Sequence, residues 1–154
     1  MPAYKFILTR ELGKLARWLR ILGFDTLYYT EDKLGTLIIE ALWGDRIIVT
    51  RRREKIDDLQ KRTVVVYAND IQGQLRQVIR QLQLPLDKDK MFSRCVLCNT
   101  LLRPADKHTV REKVPLYVFA TQEEFMVCPE CGKVYWPGSH WGKITSVVEQ
   151  LTSK

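Results

Sequence analysis

The chain has 154 residues, of which 45% are hydrophobic and 28% charged, so it can bury an apolar core and is not wholly disordered. No uncharged apolar run approaches the roughly 20 residues of a membrane-spanning helix, and no secretory signal core is present, which predicts a cytoplasmic protein without a membrane partner. Lys and Arg outnumber Asp and Glu by 25 to 18. This excess favours a polyanionic partner, although a basic surface can also serve only solubility.

Short apolar runs alternate with helical periodicity through the first part of the chain. The predicted strands are Lys5–Leu8, Phe24–Thr30, Arg46–Thr50 and Thr63–Ala68. The predicted helices are Arg10–Leu22, Lys33–Trp43, Arg51–Arg62 and Ile71–Leu82. This order predicts an α/β domain over residues 1–86, with a four-stranded, mostly parallel sheet and helices on both faces. Functional groups are expected at the carboxyl ends of its strands. The sequence lacks the glycine-rich phosphate-binding motifs, so a nucleotide cofactor is not expected.

The four cysteines form two CxxC pairs, separated by 29 residues, in a second domain predicted over residues 91–154. They are Cys95, Cys98, Cys128 and Cys131. Two tight turns can aim four thiolates at one Zn²⁺, which prefers a tetrahedral shell. Two disulfides or a redox dithiol fit the sequence less well. The spacing therefore predicts a small structural zinc module, a four-cysteine zinc ribbon with a C-terminal helix.

Aromatic residues crowd around the second cysteine pair, over residues 135–141. Trp136, His140 and Trp141 can stack on the bases of single-stranded nucleic acid. Packing in the small core of a zinc module is the simpler explanation of the same residues. Both interpretations stay open at this point.

Acidic and basic side chains both follow the predicted strands. Glu31, Asp32, Glu54 and Asp70 are the carboxylates that a divalent-metal nuclease would gather at the sheet edge. Arginines flank two of the four strand ends, and the run Arg51–Arg53 opens a predicted helix. Arginine side chains at a helix start suit phosphate groups, so this edge is expected to contact phosphate.

Four segments closely resemble the Mut-seven C-terminal RNAse domain family, and the likeness covers about residues 4 to 150. They are LGKLARWLRILGFD (12–25), RIIVTR (46–51), FSRCVLC (92–98) and CPECGKVYWPGSHW (128–141). The resemblance implies a PIN-like nuclease fold followed by a zinc ribbon. It also implies RNA as the substrate and acid-ligated Mg²⁺ or Mn²⁺ as the catalytic device.

Two positions depart from the family pattern. Thr9 stands where the first strand typically ends with an aspartate, and Arg52 stands where Thr-Arg-Asp is expected after the third strand. A hydroxyl and a cation in place of two acids should weaken divalent-metal binding. The leading prediction is an RNA-binding, PIN-like protein with reduced or lost nuclease activity. Its predicted RNA contacts are Arg10, Arg17, Arg51, Arg52, Arg53, Trp136, His140 and Trp141.

Two alternatives remain. In the first, Asp32, Glu54 and Asp70 assemble a single Mg²⁺ or Mn²⁺ site in an active endoribonuclease, with Thr9 positioning water. In the second, the zinc ribbon is a protein-interaction module of a ribonucleoprotein complex. Exposed apolar residues in Val114–Phe119 would suit that module, although a strand of the zinc ribbon explains them equally well. The sequence gives no oligomeric state.

Overall fold

The computed structural model describes residues 4–52 and 62–152. The chain divides into two compact units. Residues 1–92 contain the sheet unit, and residues 93–154 contain the cysteine unit. Within the described ranges, no helix combines the length and the apolar character needed to cross a bilayer.

The described part of the sheet unit alternates strands and helices. Its elements are β1 (Lys5–Thr9), α1 (Gly13–Ile21), β2 (Asp25–Tyr29), α2 (Leu34–Trp43), β3 (Ile47–Thr50), β4 (Thr63–Val65) and α3 (Ile71–Leu82). The strand order is β2-β1-β3-β4, and every neighbouring pair is parallel. The predicted α/β class is confirmed, and this sheet is parallel throughout.

The central strands are buried because both faces of the sheet are covered. Ile7 of β1 and Ile48 of β3 are register partners and pack with Leu37 and Ala41 of α2. Phe6 points to the opposite face by strand alternation and is also fully buried. Continuous apolar runs are typical of parallel strands covered on both sides, which is why these segments contain little but Phe, Ile, Leu and Val.

The first helix begins later than the periodic pattern predicts and ends at the predicted glycine. Residues Arg10–Leu12 form a 3₁₀ turn, and the α-helix begins only at Gly13. At its other end Gly23 has φ +97°, and a Cβ there would lie 2.4 Å from the carbonyl oxygen of Lys90. Only glycine accepts both that backbone conformation and that close approach, so the helix must end here.

The described part of the cysteine unit contains a three-stranded antiparallel sheet, a 3₁₀ turn over Lys107–Val110 and two α-helices. Its elements are β5 (Arg103–Ala105), α4 (Leu116–Thr121), β6 (Phe125–Val127), β7 (Val134–Tyr135) and α5 (Ser139–Thr152). The strand order is β5-β6-β7. Its buried apolar cluster consists of Val110, Val114, Val118, Phe125 and Val134. This core is small, so cross-linking by a metal ion would matter for its stability.

Most of the Val114–Phe119 segment is helical, whereas a strand was one explanation offered by the sequence. Val114 precedes α4, and Val118 lies inside it. Val110, Val114 and Val118 repeat every four residues and are all buried. Val110 ends a 3₁₀ turn over Lys107–Val110, and all three valines pack in one cluster with Phe125 of the sheet. Apolar burial thus explains part of the Val114–Phe119 segment.

Candidate functional site

Two threonines end the central strands of the sheet unit side by side. Thr9 ends β1 and Thr50 ends β3, and they are 3% and 2% exposed. Their hydroxyl oxygens lie 3.1 Å apart, and the backbone N–H of Arg52 donates to Thr50 Oγ1 at 3.0 Å. Thr50 Oγ1 accepts that bond, and its own proton is donated to the carboxylate of Glu11. The carboxyl edge of the sheet therefore presents hydrogen-bond donors.

The acceptor for these donors is Glu11, which the sequence reasoning did not single out. Its Oε1 accepts from the Thr9 hydroxyl at 2.7 Å, from the Arg51 backbone N–H at 3.2 Å and from the Thr50 hydroxyl at 3.4 Å. Partial burial works to raise the pKa of Glu11. Hydrogen bonds from Thr9 and the backbone, with the charge of Arg52, outweigh burial and lower that pKa below its usual value.

Arg52 and Asp32 form an ion pair at the same edge. The hydrogen bond from Arg52 and its positive charge lower the pKa of Asp32, and the charge of Arg10 adds to the effect. Arg10 lies in the turn after β1, where the Tyr28 hydroxyl donates to its backbone carbonyl. Three predicted site residues thus share one cluster of charges, in which the carboxylate is already paired with a cation.

Arg51 and Asp70 hold the neighbouring backbone. The Arg51 guanidinium donates to the Ala68 carbonyl at 3.0 Å and to Asn69 Oδ1 at 2.8 Å, which ties the end of β3 to the segment after β4. Asp70 caps α3, because its Oδ2 accepts from the Gly73 backbone N–H at 3.1 Å. Local capping therefore explains the acidic residue at position 70.

The other predicted site residues fall in three places. Arg17 lies on the exposed side of α1. Arg53 and Glu54 lie outside the described residues, so the carboxylate predicted at position 54 is not placed. His140 and Trp141 belong to the first turn of α5. Over residues 4–52 and 62–152, no group of three His, Asp or Glu ligands that could hold a metal ion occurs at the sheet edge.

Trp136 has a core contact. It is half-buried, and its ring centroid lies 6.5 Å from that of Phe125, with the two planes inclined by 61°. This edge-to-face geometry is favourable between aromatic rings. Packing within the cysteine unit accounts for Trp136, as the simpler of the two sequence interpretations proposed.

The four cysteines come together as one cluster. The sulfurs of Cys95, Cys98, Cys128 and Cys131 all lie within 4.8 Å of one another. Cys95 Sγ and Cys131 Sγ are 3.7 Å apart. Sulfurs bound tetrahedrally to zinc at about 2.3 Å are separated by about 3.8 Å, so the cluster has the dimensions of such a site. These four residues could hold a metal ion such as zinc.

Each cysteine pair is shaped by the same turn. The backbone N–H of Asn99 donates to the Cys95 carbonyl at 2.8 Å, and that of Gly132 donates to the Cys128 carbonyl at 2.9 Å. Asn99 has φ 69° and Gly132 has φ 79°. Asn and Gly tolerate this left-handed conformation better than other residues, which explains why these types follow the two pairs.

The neighbouring sulfurs of the cluster shift one another's pKa values. Burial works to raise the pKa of Cys95, but hydrogen bonds from Tyr135 and from backbone N–H groups lower it to about 7. Hydrogen bonding to Cys131, with burial and the charge of the neighbouring sulfurs, raises the pKa of Cys98 to about 12. A divalent cation relieves this repulsion, because it stabilises all four thiolates at once. Four thiolate ligands therefore suit a metal ion that accepts soft ligands in a tetrahedral arrangement.

Comparison with known proteins identifies a family. The sequence model of the family described as Mut7-C RNAse domain matches residues 4–148, almost the whole chain. Neither the curated proteins nor the solved structures contain a match to the chain.

Proposed function

Because the chain belongs to the Mut7-C RNAse domain family, we propose that it is an RNA-binding protein of the PIN-like ribonuclease type whose metal-dependent cleavage is reduced or lost. The family gives the chain a nuclease-like, RNA-related function. Cleavage is expected to be lost because hydrogen-bond donors and cations lie at the sheet edge, where metal ligands would be needed.

The observation that carries the proposal is the direction of the bonds at that edge. A divalent ion needs several oxygens with free lone pairs. Here Glu11 Oε1 already accepts hydrogen bonds from Thr9, Thr50 and the Arg51 backbone N–H, so its lone pairs are occupied. Arg52 pairs with Asp32. A guanidinium a few ångströms from a divalent ion repels it by several kcal/mol at an effective dielectric constant of about 20. This edge disfavours a catalytic Mg²⁺ or Mn²⁺.

The same groups suit a phosphodiester. Arg10, Arg51 and Arg52 belong to the segments that follow β1 and β3, at the carboxyl edge where parallel sheets bind ligands. Arginine matches the geometry of phosphate oxygens and remains charged at all relevant pH values. The formal charge of +7 adds a long-range attraction for RNA. Arg17, on the exposed side of α1, is a further proposed RNA contact.

We further propose that the cysteine cluster binds structural Zn²⁺. Four sulfur ligands fill the tetrahedral shell of zinc, so no position is left for a catalytic water. None of the four cysteines forms a disulfide. Thiolate ligands persist in a reducing compartment, which supports placing the protein in the cytoplasm.

RNA binding is tested with Arg51→Ala combined with Arg52→Ala. Affinity for labelled single-stranded RNA should fall on the order of tenfold. The slope of log K against log salt should become shallower by about 1.4, since each lost phosphate contact removes about 0.7. Arg80→Ala is the matched control, because Arg80 lies near the C-terminal end of α3, away from the carboxyl edge. An unchanged salt slope in the double variant would show that these arginines touch no phosphate.

Loss of cleavage is tested by incubating the purified protein with single-stranded and structured RNA in Mn²⁺. The RNA should remain intact. Metal-dependent cleavage that Asp32→Ala abolishes would instead favour the active endoribonuclease, in which Asp32, Glu54 and Asp70 hold the ion. Purified wild-type protein and Asp32→Ala protein prepared side by side exclude a contaminating nuclease.

A protein-interaction module is the second candidate function. Leu116 and Tyr117 at the start of α4 are 80% and 72% exposed, although both are large and apolar in character. Exposed aliphatic and aromatic side chains are typical of protein-binding surfaces. A protein that stays bound after nuclease treatment, and that Leu116→Ser with Tyr117→Ser releases, would support this function. Retention through RNA alone would contradict it.

A further inference from the structure

The hydroxyl of Tyr135 links the two cysteine pairs. Tyr135 lies in β7, just beyond the second pair, and its oxygen is 3.1 Å from Cys95 Sγ in the first pair. The same oxygen is 3.2 Å from the backbone nitrogen of Val96. These contacts join segments about forty residues apart in sequence. The phenol therefore touches a predicted metal ligand without being one.

The direction of both hydrogen bonds follows from the atoms involved. The Val96 N–H can only donate, so the Tyr135 oxygen accepts that bond. The phenol has one proton, and the Cys95 sulfur is its other partner within reach. A metal-bound thiolate has no proton, so it must accept. The result is an O–H···S⁻ hydrogen bond, which is charge-assisted and stronger than a neutral one.

Lys133 lies over the ring of Tyr135 and supports this hydrogen bond. Its ammonium nitrogen lies 5.4 Å from the centroid of the Tyr135 ring, in cation–π range. A positive charge over the ring draws electron density from the phenol, so its O–H becomes a better donor. The Lys133 carbonyl also accepts from the Cys128 backbone N–H at 2.9 Å. The residues from Lys133 to Tyr135 thus connect both cysteine pairs.

We propose that Tyr135 is a positioning residue of the metal site, which fixes the first cysteine pair against the second and holds the Cys95 thiolate by an outer hydrogen bond. Such a bond lowers the electron density available for reaction at sulfur and orients its lone pairs toward the ion. Its functions are to slow metal release and to protect Cys95 from electrophiles. The proposal rests on the proposed metal ion and is independent of RNA binding.

The test compares Tyr135→Phe with Tyr67→Phe, an exposed tyrosine of the sheet unit, as the matched control. Zinc transfer from each protein to a coloured chelator gives the release rate. Iodoacetamide labelling, located by mass spectrometry, gives the reactivity of Cys95. In Tyr135→Phe, zinc release should accelerate on the order of tenfold, and Cys95 should gain more reactivity than the other three cysteines. The control should match the wild type.

A second variant guards against a Tyr135→Phe protein that does not fold. Lys133→Met keeps the hydroxyl and removes only the charge over the ring, so zinc release should accelerate by a smaller factor, about two- to threefold. Wild-type rates in both variants would overturn the proposal. A wild-type protein that binds no zinc would overturn the metal assignment as well, while the RNA proposal would stand on its own test.

Discussion

The sheet edge and the cysteine cluster both contain residue types that bind metals, but the ligand atoms face one another only in the cluster. In the cluster, four sulfurs lie within 4.8 Å of one another around a common point. At the edge, Glu11 accepts from Thr9, and Asp32 pairs with Arg52. The carboxylates there are balanced by groups of the protein itself. The comparison shows that ligand identity is insufficient, because a metal site also needs lone pairs that no internal donor occupies.

The largest expected effect comes from removing one ligand of the cluster. Cys128→Ser should abolish tight zinc binding and unfold the cysteine unit, because structural zinc contributes apparent binding energies of about 10–16 kcal/mol in small domains. Its five-residue apolar cluster is too small to replace this contribution. Native mass spectrometry measures the zinc, and hydrogen exchange of the amides in β6 and β7 measures the unfolding.

The amides of β1 and β3 should keep their protection in Cys128→Ser, since the sheet unit has its own buried core. Leu97→Ser is the control, because Leu97 lies between the ligands of the first pair and is 53% exposed. That variant should bind zinc as the wild type does. Full exchange protection in Cys128→Ser treated with a chelator would show that the unit folds without metal.

An intermediate effect is expected from giving the edge the acids that the family pattern has. Thr9→Asp with Arg52→Asp removes a donor and a cation and adds two carboxylates next to Thr50. Mn²⁺ affinity, measured by calorimetry, should rise at least about tenfold, because the sign of the local charge is reversed. The neutral pair Thr9→Asn with Arg52→Asn is the size-matched control and should bind Mn²⁺ no better than the wild type.

Equal Mn²⁺ affinity in the aspartate and asparagine double variants would contradict the electrostatic argument. It would mean that the geometry of the edge, and not the charge at positions 9 and 52, limits the affinity for Mn²⁺. Weak Mn²⁺-dependent cleavage of RNA by the aspartate variant alone would extend the comparison from binding to catalysis.

The smallest effect concerns Glu11 and depends on pH. The pKa of Glu11 is below its ordinary value of 4.5 in the folded protein, so its stabilising contribution is complete above that value and is lost as the pH falls through the lower, folded pKa. Glu11→Gln should therefore reduce stability by about 0.5–1 kcal/mol near pH 7, allowing for solvent screening. At a pH below the folded pKa of Glu11 the two proteins should converge.

Hydrogen exchange of the β1 and β3 amides in urea measures this difference within the sheet unit. Glu40→Gln, an exposed carboxylate of α2, should change stability by less than about 0.5 kcal/mol at either pH. A difference between wild type and Glu11→Gln that stays constant from neutral to acid pH would show that the lost charge is not the cause.

The sequence predicted the parallel sheet well because each element is encoded within a few residues. Ile71–Leu82 is found as a helix with those bounds, since its apolar stripe and the Asp70 cap are local features. Arg10–Leu22 was less well predicted, because a 3₁₀ turn occupies its first residues. The helix α4 was missed, because it spans only the six residues Leu116–Thr121 and has no repeated apolar stripe of its own.

Glu11 was missed for a different reason. It stands two residues after β1, beside the arginine that attracted attention, and only the pairing of β1 with β3 brings Thr50 and Arg51 to it. Thr50 and Arg51 are about 40 residues distant from Glu11 along the chain. A carboxylate just beyond a central parallel strand could have been included as a candidate on position alone.

By itself, the sequence determined the α/β class, the family and the two cysteine turns, because apolar period, motif and turn residues act over short stretches of chain. Only the tertiary structure decided which charged groups bond with other groups of the protein. The bonds of Glu11 with Thr50, of Asp32 with Arg52 and of Tyr135 with Cys95 join residues 20 to 40 positions apart. Hydrogen bonds need partners within about 3 Å, and strand pairing, not sequence proximity, creates that closeness.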